Sequence, residues 1–461
     1  MPAFLPKPLN VLILFLALLA APRTEAASRG NVITLENAYD RTLASDQSVQ
    51  IAWLEIRKAS LEPLSALTRI APRISANLGY DSTGQTARQT GLIPVSASRS
   101  VTTRSDVRSA GFSYSQTLMD FSVFPAWRLG KLTEKSSKLQ YSFTVRETLF
   151  GVARAYYNVL KQQSIVAVNK QTLDLAAGQL DQAQKRFDVG QAARTDVLRA
   201  TATQEDARRA LIESQTALST ARNVLANILN LGKDTGFELR EPASASLDKE
   251  SFDAALSQAY ARREDYQVSV IAIKQDVERH NEVRAQYLPK LVADVTQNWN
   301  AYNGADHNNS IWEASVALQI PIFTGGQREI DLATSRYQID ETRLNHDKLT
   351  KSIQEEVKNA YLATRTLEET IKALQAEVAA ADQNYKDLDA QYRVGAATSL
   401  DVQTSLRDLN NSRTILTGQI YDNQVALRDL QRSEAAFQSM RVSRATERFA
   451  PTKTSSKDKR R

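Results

Sequence analysis

Cysteine is absent from all 461 residues. A chain of this size without disulfides must be held by packing or by assembly, and lipid attachment through an N-terminal cysteine is excluded. Glycine (16) and proline (12) are sparse, which favours long helices over a turn-rich β-protein. Long apolar runs are also missing. The one candidate, residues 9–21, falls short of the roughly 20 residues a spanning helix needs. Lys7 precedes it and Thr24-Glu25-Ala26 follows, so residues 1–26 read as a secretory signal peptide. The mature chain is then expected outside the cytoplasm, either soluble or entering a membrane as β-structure.

Catalytic chemistry is missing too. His280, His307 and His346 stand far apart, and none sits in the close pair that a metal site needs. No glycine-rich phosphate loop and no nucleophile elbow occurs. No enzyme activity, metal or cofactor is expected. Excess positive charge is confined to residues 441–461, with eight Lys/Arg and two acids, and leaves the body close to neutral. Such a body lacks the clustered basic charge of a nucleic-acid surface. The basic segment itself lacks apolar periodicity, so a disordered tail is expected over 441–461.

What the chain does contain is written twice. Residues 184–198 (QKRFDVGQAARTDVL) resemble 389–403 (DAQYRVGAATSLDVQ). Phe187 matches Tyr392, Val189-Gly190 matches Val394-Gly395, and Asp196-Val197 matches Asp401-Val402, at an offset of 205. Ala71-Pro72 resembles Leu288-Pro289 at 217, and Thr117-Leu118-Met119 aligns with Pro321-Ile322-Phe323 at 204. The extra length of the first copy falls in a Ser/Thr/Arg-rich stretch, residues 83–105, read as a loop. Repeats of this length are domains, not solenoid units. The expected layout is a first repeat over 27–231, a linker over 232–248 and a second repeat over 249–440.

Each copy has the same order of elements. A helix comes first (35–70 and 252–287) and stops at proline, which removes a donor and biases the preceding residue to extended geometry. Two strands follow, about 73–84 with 108–119 and 290–302 with 310–321. In the second pair, apolar Val295, Trp299, Trp312 and Val316 alternate with polar neighbours, the period of a strand with one apolar face. Then comes a very long helix. Apolar positions from Val145 to Phe187 and from Ile353 to Tyr392 recur in steps of four and three, a coiled-coil seam. Gly190 and Gly395 end these helices, with turns near 188–196 and 393–401. Asp196 and Asp401 open the returning helices.

Four strands cannot close on themselves, and open edges in lipid leave backbone groups unpaired at several kcal/mol each. Several chains contributing four strands each could close a barrel. A soluble four-stranded layer packed on helices is the plainer reading of the same pattern. A periplasmic coiled-coil adaptor or structural protein is the rival function.

The paired VG-x(5)-DV motifs, the turn Gln319-Ile320-Pro321-Ile322-Phe323-Thr324-Gly325-Gly326 and the turn Tyr287-Leu288-Pro289 resemble the TolC-type outer-membrane efflux family. The resemblance covers nearly all of the mature chain. It implies a mainly α protein with transmembrane β-structure: a homotrimer whose 12-stranded barrel spans the outer membrane and continues as a helical tunnel across the periplasm. It further implies a passive exit duct for efflux or type I secretion, contacting outer-membrane lipid. Its partners are a periplasmic adaptor and an inner-membrane pump, and nucleic acid is not among them. The tips, Val189-Gly190 and Val394-Gly395, are then the docking points. The gate is Asp401, Tyr392 and Asp196, with a Tyr392–Asp196 hydrogen bond between hairpins. Three copies of Asp401 around one axis form an acidic ring whose mutual repulsion raises its proton affinity. Ala397 and Thr404 stand where the family often has a basic residue and a second acid.

Overall fold

The computed structural model describes residues 32–89, 99–232, 236–243, 251–302 and 309–447. The expected signal peptide, much of the linker, His307 and residues 448–461 lie outside these. Elements run β1 (Val32–Ile33), α1 (Leu35–Ser45), α2 (Gln47–Ala59), α3 (Glu62–Leu67), β2 (Arg73–Gln89), β3 (Arg99–Met119), α4 (Val123–Asp188) and α5 (Arg194–Ile228). There follow β4 (Glu238–Leu239), α6 (Phe252–Arg262), α7 (Glu264–Ala285), β5 (Lys290–Tyr302), β6 (Asn309–Gln319), α8 (Gln327–Arg393), α9 (Ser399–Ser433) and α10 (Ser439–Glu447).

Two expectations about local structure are corrected. The opening helix of each copy is broken. In the first copy it stops at Asp46, whose carboxylate caps α2 by accepting from the Val49 amide at 3.0 Å, and again before Pro63 in the first turn of α3. In the second copy it breaks at Arg263. Asp46 (φ −70, ψ 128) and Arg263 (φ −61, ψ 125) share one extended conformation and lie 217 residues apart. The break therefore belongs to the repeat.

The stretch 83–105 is not simply a loop. β2 and β3 remain paired to Gln89↔Arg99, forming a ribbon beyond the reach of β5, whose last pairing is Val107↔Tyr302. Its mostly polar sequence gives no alternation to read. The ladder and bonds such as Ser82 to Asp106 at 2.6 Å hold it instead.

All four long strands join in one antiparallel sheet, β2-β3-β5-β6. Directly opposed residues share a face, so the register sorts the side chains. One face carries Ile74, Tyr114, Val295 and Ala314 in one row, and Ala76, Phe112, Gln297 and Trp312 in the next. The other carries Ser75, Ser113, Thr296 and Glu313, then Asn77, Gly111, Asn298 and Ile311, and is mostly polar. Among the described residues no element covers the apolar face: Leu78, Trp312 and Val316 are 88%, 72% and 68% exposed. From Leu291 to Ala301 that face runs about 33 Å along the strand. Tilted at ~45°, this matches the ~25 Å apolar band of a membrane barrel.

The helical hairpins α4–α5 and α8–α9 lie together, α4 against α9 and α7 against both α4 and α8. At 66 residues, α4 is about 100 Å long. Its upper half follows the expected seam: Val145, Leu149, Val152, Tyr156 and Val159 are fully buried. In its lower half the buried stripe is rotated, and Asn169, Thr172, Ala176, Gln179 and Ala183 face inward while Lys170 is exposed. Small and polar residues let the hairpins approach. Hydrogen bonds join them, Thr172 to Asn410 at 2.7 Å and Gln179 to Tyr385 at 3.3 Å.

A belt midway along the arms forms the main core. Tyr39, Tyr156, Leu225, Leu229 and Phe437 meet there. The Tyr156 hydroxyl, pushed up to about 12 by burial, donates to the Ile33 carbonyl at 2.8 Å beside the β1–β4 ladder. The basic tail needs correction here. Residues 441–447 continue α10, because Val442 fills this core and Arg441 pairs with Glu36 and Asp40 of α1. A contact that distant in sequence leaves no local pattern.

Buried charge ties the copies together. Arg146 of α4 meets Glu264 of α7 at 2.5 Å and donates to the Phe437 carbonyl at 2.7 Å, with both charged side chains nearly covered. Arg432 of α9 bridges Glu147 of α4 and Glu356 of α8 at 3.0 and 2.6 Å. Arg146→Leu should cost about 3–5 kcal/mol by leaving Glu264 buried without a counter-charge. The double change Arg146→Met with Glu264→Gln should cost clearly less. Thermal unfolding of the two variants in detergent measures the difference.

Candidate functional site

The lower end of the molecule holds two helix-to-helix turns side by side. Each begins as α4 or α8 runs out of partners, and each uses glycine in the left-handed region, Gly190 at φ +76 and Gly395 at φ +83. The closing bonds are the same: the Gln191 amide to the Arg186 carbonyl and the Ala396 amide to the Gln391 carbonyl, both 2.8 Å. These satisfy the last carbonyls of the arms in the six-to-one pattern that only a left-handed residue permits. Val189 and Val394, just before the glycines, are 67% and 81% exposed.

The returning helices start differently. At α9, Thr398 and Asp401 form a reciprocal box: the Asp401 amide donates to Thr398 Oγ1, and the Thr398 amide donates to Asp401 Oδ2 at 3.0 Å. At α5 alanine occupies the cap, so only the return bond is made, Ala193 amide to Asp196 Oδ2 at 3.3 Å. The bonds from Thr398 hold the Asp401 carboxyl below its ordinary value. Within the chain this group faces donors and not other acids. Asp401 is exposed, and only one of its oxygens is engaged by Thr398.

Asp196 and Tyr392 are neighbours, but the expected bond between them is not the one made. Asp196 Oδ1 accepts from the hydroxyl of Ser399, at 2.6 Å. The Tyr392 hydroxyl is buried and finds no partner among the described residues. Burial, opposed by Arg186 and reinforced by Asp196, pushes that hydroxyl's pKa up. What joins Tyr392 to the other hairpin is Arg186. Its guanidinium lies 4.8 Å from the Tyr392 ring centroid and donates to the Tyr392 carbonyl. The hairpins are thus linked twice at the tip, by Ser399–Asp196 and by Arg186–Tyr392. Around these links Tyr385, Tyr392, Val402, Leu406 and Leu409 of α8 and α9 pack with Ala176 of α4 and Ala207 of α5.

Sequence reasoning missed Arg186 and Ser399. Neither stands in the matched motif positions, and the only available signal was that each lies within one turn of a tip. Arg328 was missed likewise. It folds back to the Pro321 and Ile322 carbonyls at 3.0 and 3.1 Å and lies over Tyr287 at 4.5 Å, pinning the turn between β6 and α8.

Among the described residues no cluster of three His, Cys, Asp or Glu could hold a metal ion. His280 and His346 bond Ser335 and Ser269, each at 2.8 Å, between α7 and α8. No helix among the described residues is long and apolar enough to cross a membrane.

A four-stranded sheet with a bare apolar face, set above paired helical arms with linked tips, is the protomer of an outer-membrane conduit. Residues 38–231 and 255–435 match the family described as outer membrane efflux protein, and the chain belongs to that family. It is 25% identical over 385 residues to the outer membrane protein TolC of Vibrio cholerae, covering 79% of this chain and 82% of that one. It is 24% identical over 401 residues to the probable efflux pump outer membrane protein TtgC of Pseudomonas putida, covering 83% and 79%. The fold matches the CmeC outer membrane channel of Campylobacter jejuni with a TM-score of 0.72 over 90% of each chain, at 15% identity. The chain is accordingly an efflux channel of the outer membrane, and nothing supports the rival adaptor reading.

Two tests follow from the tip geometry. A hydrogen bond to a charged group contributes about 1.5–3 kcal/mol. Ser399→Ala and Arg186→Ala should therefore raise ion leakage through the resting channel in planar bilayers, whereas Tyr392→Phe should not. Leakage from Tyr392→Phe equal to that of Ser399→Ala would contradict these links. The second test concerns pH. Because the folded pKa of Asp401 is depressed, its cap is fully formed above the ordinary aspartate value of about 3.9 and is lost as pH falls through the lower folded value. Amide protection at the start of α9, measured against the intrinsic exchange rate at each pH, should fall on acidification, and Thr398→Ala should lower it already at neutral pH.

Proposed function

We infer that three copies of this chain assemble into one duct, with β2 of each copy pairing with β6 of the next to close a 12-stranded barrel. The observation that carries this is the sheet itself: one bare apolar face and two edge strands with a single neighbour each. Three chains give twelve strands, and known membrane barrels have at least 8. The arms carry a second unpartnered seam, with Ile330, Tyr337 and Leu344 of α8 exposed at seven-residue spacing, the period that suits a neighbouring copy's helix.

The polar face of the sheet then lines the pore, and the apolar face meets outer-membrane lipid. The arms extend the conduit into the periplasm. The tips at Val189-Gly190 and Val394-Gly395 offer exposed apolar ends to a periplasmic adaptor, which couples the duct to an inner-membrane pump. The linked tips, Ser399–Asp196 and Arg186–Tyr392, keep the lower end narrow until that docking occurs. Asp401 caps α9 and turns its free oxygen to the axis, so three copies favour cations there. The duct itself does no chemistry; the pump supplies the driving force.

Mass measurement of the detergent-solubilised protein together with single-channel recording tests this reading. A trimer with cation-preferring conductance is expected, and Asp401→Asn should reduce the preference. A stable monomer, or an assembly that conducts nothing in any state, would overturn it.

A further inference from the structure

The outer end of the sheet's apolar face carries a charge that apolar packing does not account for. Tyr80, Arg108 and Ala301 are directly opposed in register, so Arg108 lies on the same face as Leu78, Val295 and Trp312. It is exposed and has no hydrogen-bond or carboxylate partner among the described residues. On its strand and face, Asp106 is already engaged, accepting from Ser82 at 2.6 Å and from Arg104 at 3.3 Å.

The position of Arg108 is specific. Tyr80 lies beside it and Trp299 and Trp312 lie below it, all three exposed. Such rings mark the boundary between hydrocarbon and head groups. Above it the face turns polar, through Ser82–Asp106 and Gly84–Arg104. Tyr80, Arg108 and Trp299, with the small residues Ala110, Ala301 and Ser310, line an open cleft of about 880 Å³. β6 pairs with β5 as far as Asn300↔Asn309, and among the described residues no strand lies beside Ala301 on that side.

We propose that Arg108 binds the phosphate of an outer-leaflet lipid, with the adjoining acyl chain seated in the cleft that Tyr80 and Trp299 line. A guanidinium matches phosphate geometry with two parallel donors, and it is more weakly hydrated than an ammonium, so it forms such a pair at a membrane interface with the smaller loss of water. Charge complementarity selects the head group, and the aromatic walls select a chain-bearing molecule over a free ion. Held on each protomer, such a lipid fixes the depth and tilt of the barrel. The proposal rests on the outer-membrane reading, which directs this end of the sheet away from the helical arms and into the outer leaflet.

Native mass spectrometry of the full-length detergent-solubilised assembly tests it, with two probes of identical chains: phosphatidic acid, which carries a phosphate monoester, and diacylglycerol, which carries none. The wild type should retain phosphatidic acid about tenfold more tightly than diacylglycerol. Arg108→Ala should abolish that preference while leaving diacylglycerol binding unchanged, and Arg108→Lys should restore part of it. Equal retention of the two lipids by the wild type, or an undiminished preference in Arg108→Ala, would overturn the proposal while leaving the channel reading intact. A wild type that yields no detergent-stable oligomer would overturn both.

Discussion

Among the described residues, the backbone amides and carbonyls along the outer edges of β2 and β6 have a neighbouring strand on one side only, and nothing covers the apolar face between those edges. In water such a sheet is an aggregation template. In lipid each unpaired backbone group costs several kcal/mol. The remaining architecture answers this constraint. The sheet must close on other copies, so the helices that follow it must also meet other copies, and their exposed seam on α8 leaves room for that. A long arm then continues the geometry of the closed sheet away from the membrane.

The duplication explains how one chain supplies both halves of that design, and where they diverge. The extended breaks at Asp46 and Arg263 show that the repeat preserves backbone irregularities as well as helices. Between the copies, the Arg146–Glu264 pair and the Arg432 bridges fix α4, α7, α8 and α9 at one level. Such pairs add little net stability over an apolar core, but a broken one is costly, so their geometry specifies register. The asymmetry lies at the ends. Thr398 completes a cap that Ala193 cannot, and the first strand pair is extended into a polar ribbon.

Much of this was readable in advance. The paired Val-Gly and Asp-Val motifs placed both tips. Alternation in residues 290–321 placed the second strand pair, and four-three spacing placed both arms. What was not readable depended on distance in sequence. Arg441 reaches α1, Arg186 reaches Tyr392 and Ser399 reaches Asp196 across some 200 residues or more, and no local pattern records such contacts. The rotation of the buried stripe in lower α4 was hidden because small and polar residues, not apolar ones, fill it. The ribbon beyond residue 84 was hidden because its sequence is mostly polar and shows no alternation. At the tips Asp196 and Tyr392 are neighbours, but the donor expected from the resemblance is not the one used: the smaller Ser399 holds the aspartate.

The central claim is that the open edges of β2 and β6 pair between copies. Because the chain has no cysteine, introduced pairs report without background. One cysteine at Ala76 on β2, combined in turn with one at Trp312, Ala314 or Val316 on β6, tests the edge directly. Oxidation in the membrane should give covalent dimers and trimers for at least one pair, with nothing larger than a trimer, since a closed ring has no free edge. A pattern that stops at monomer for every pair, or one that extends into an open ladder, would contradict the account.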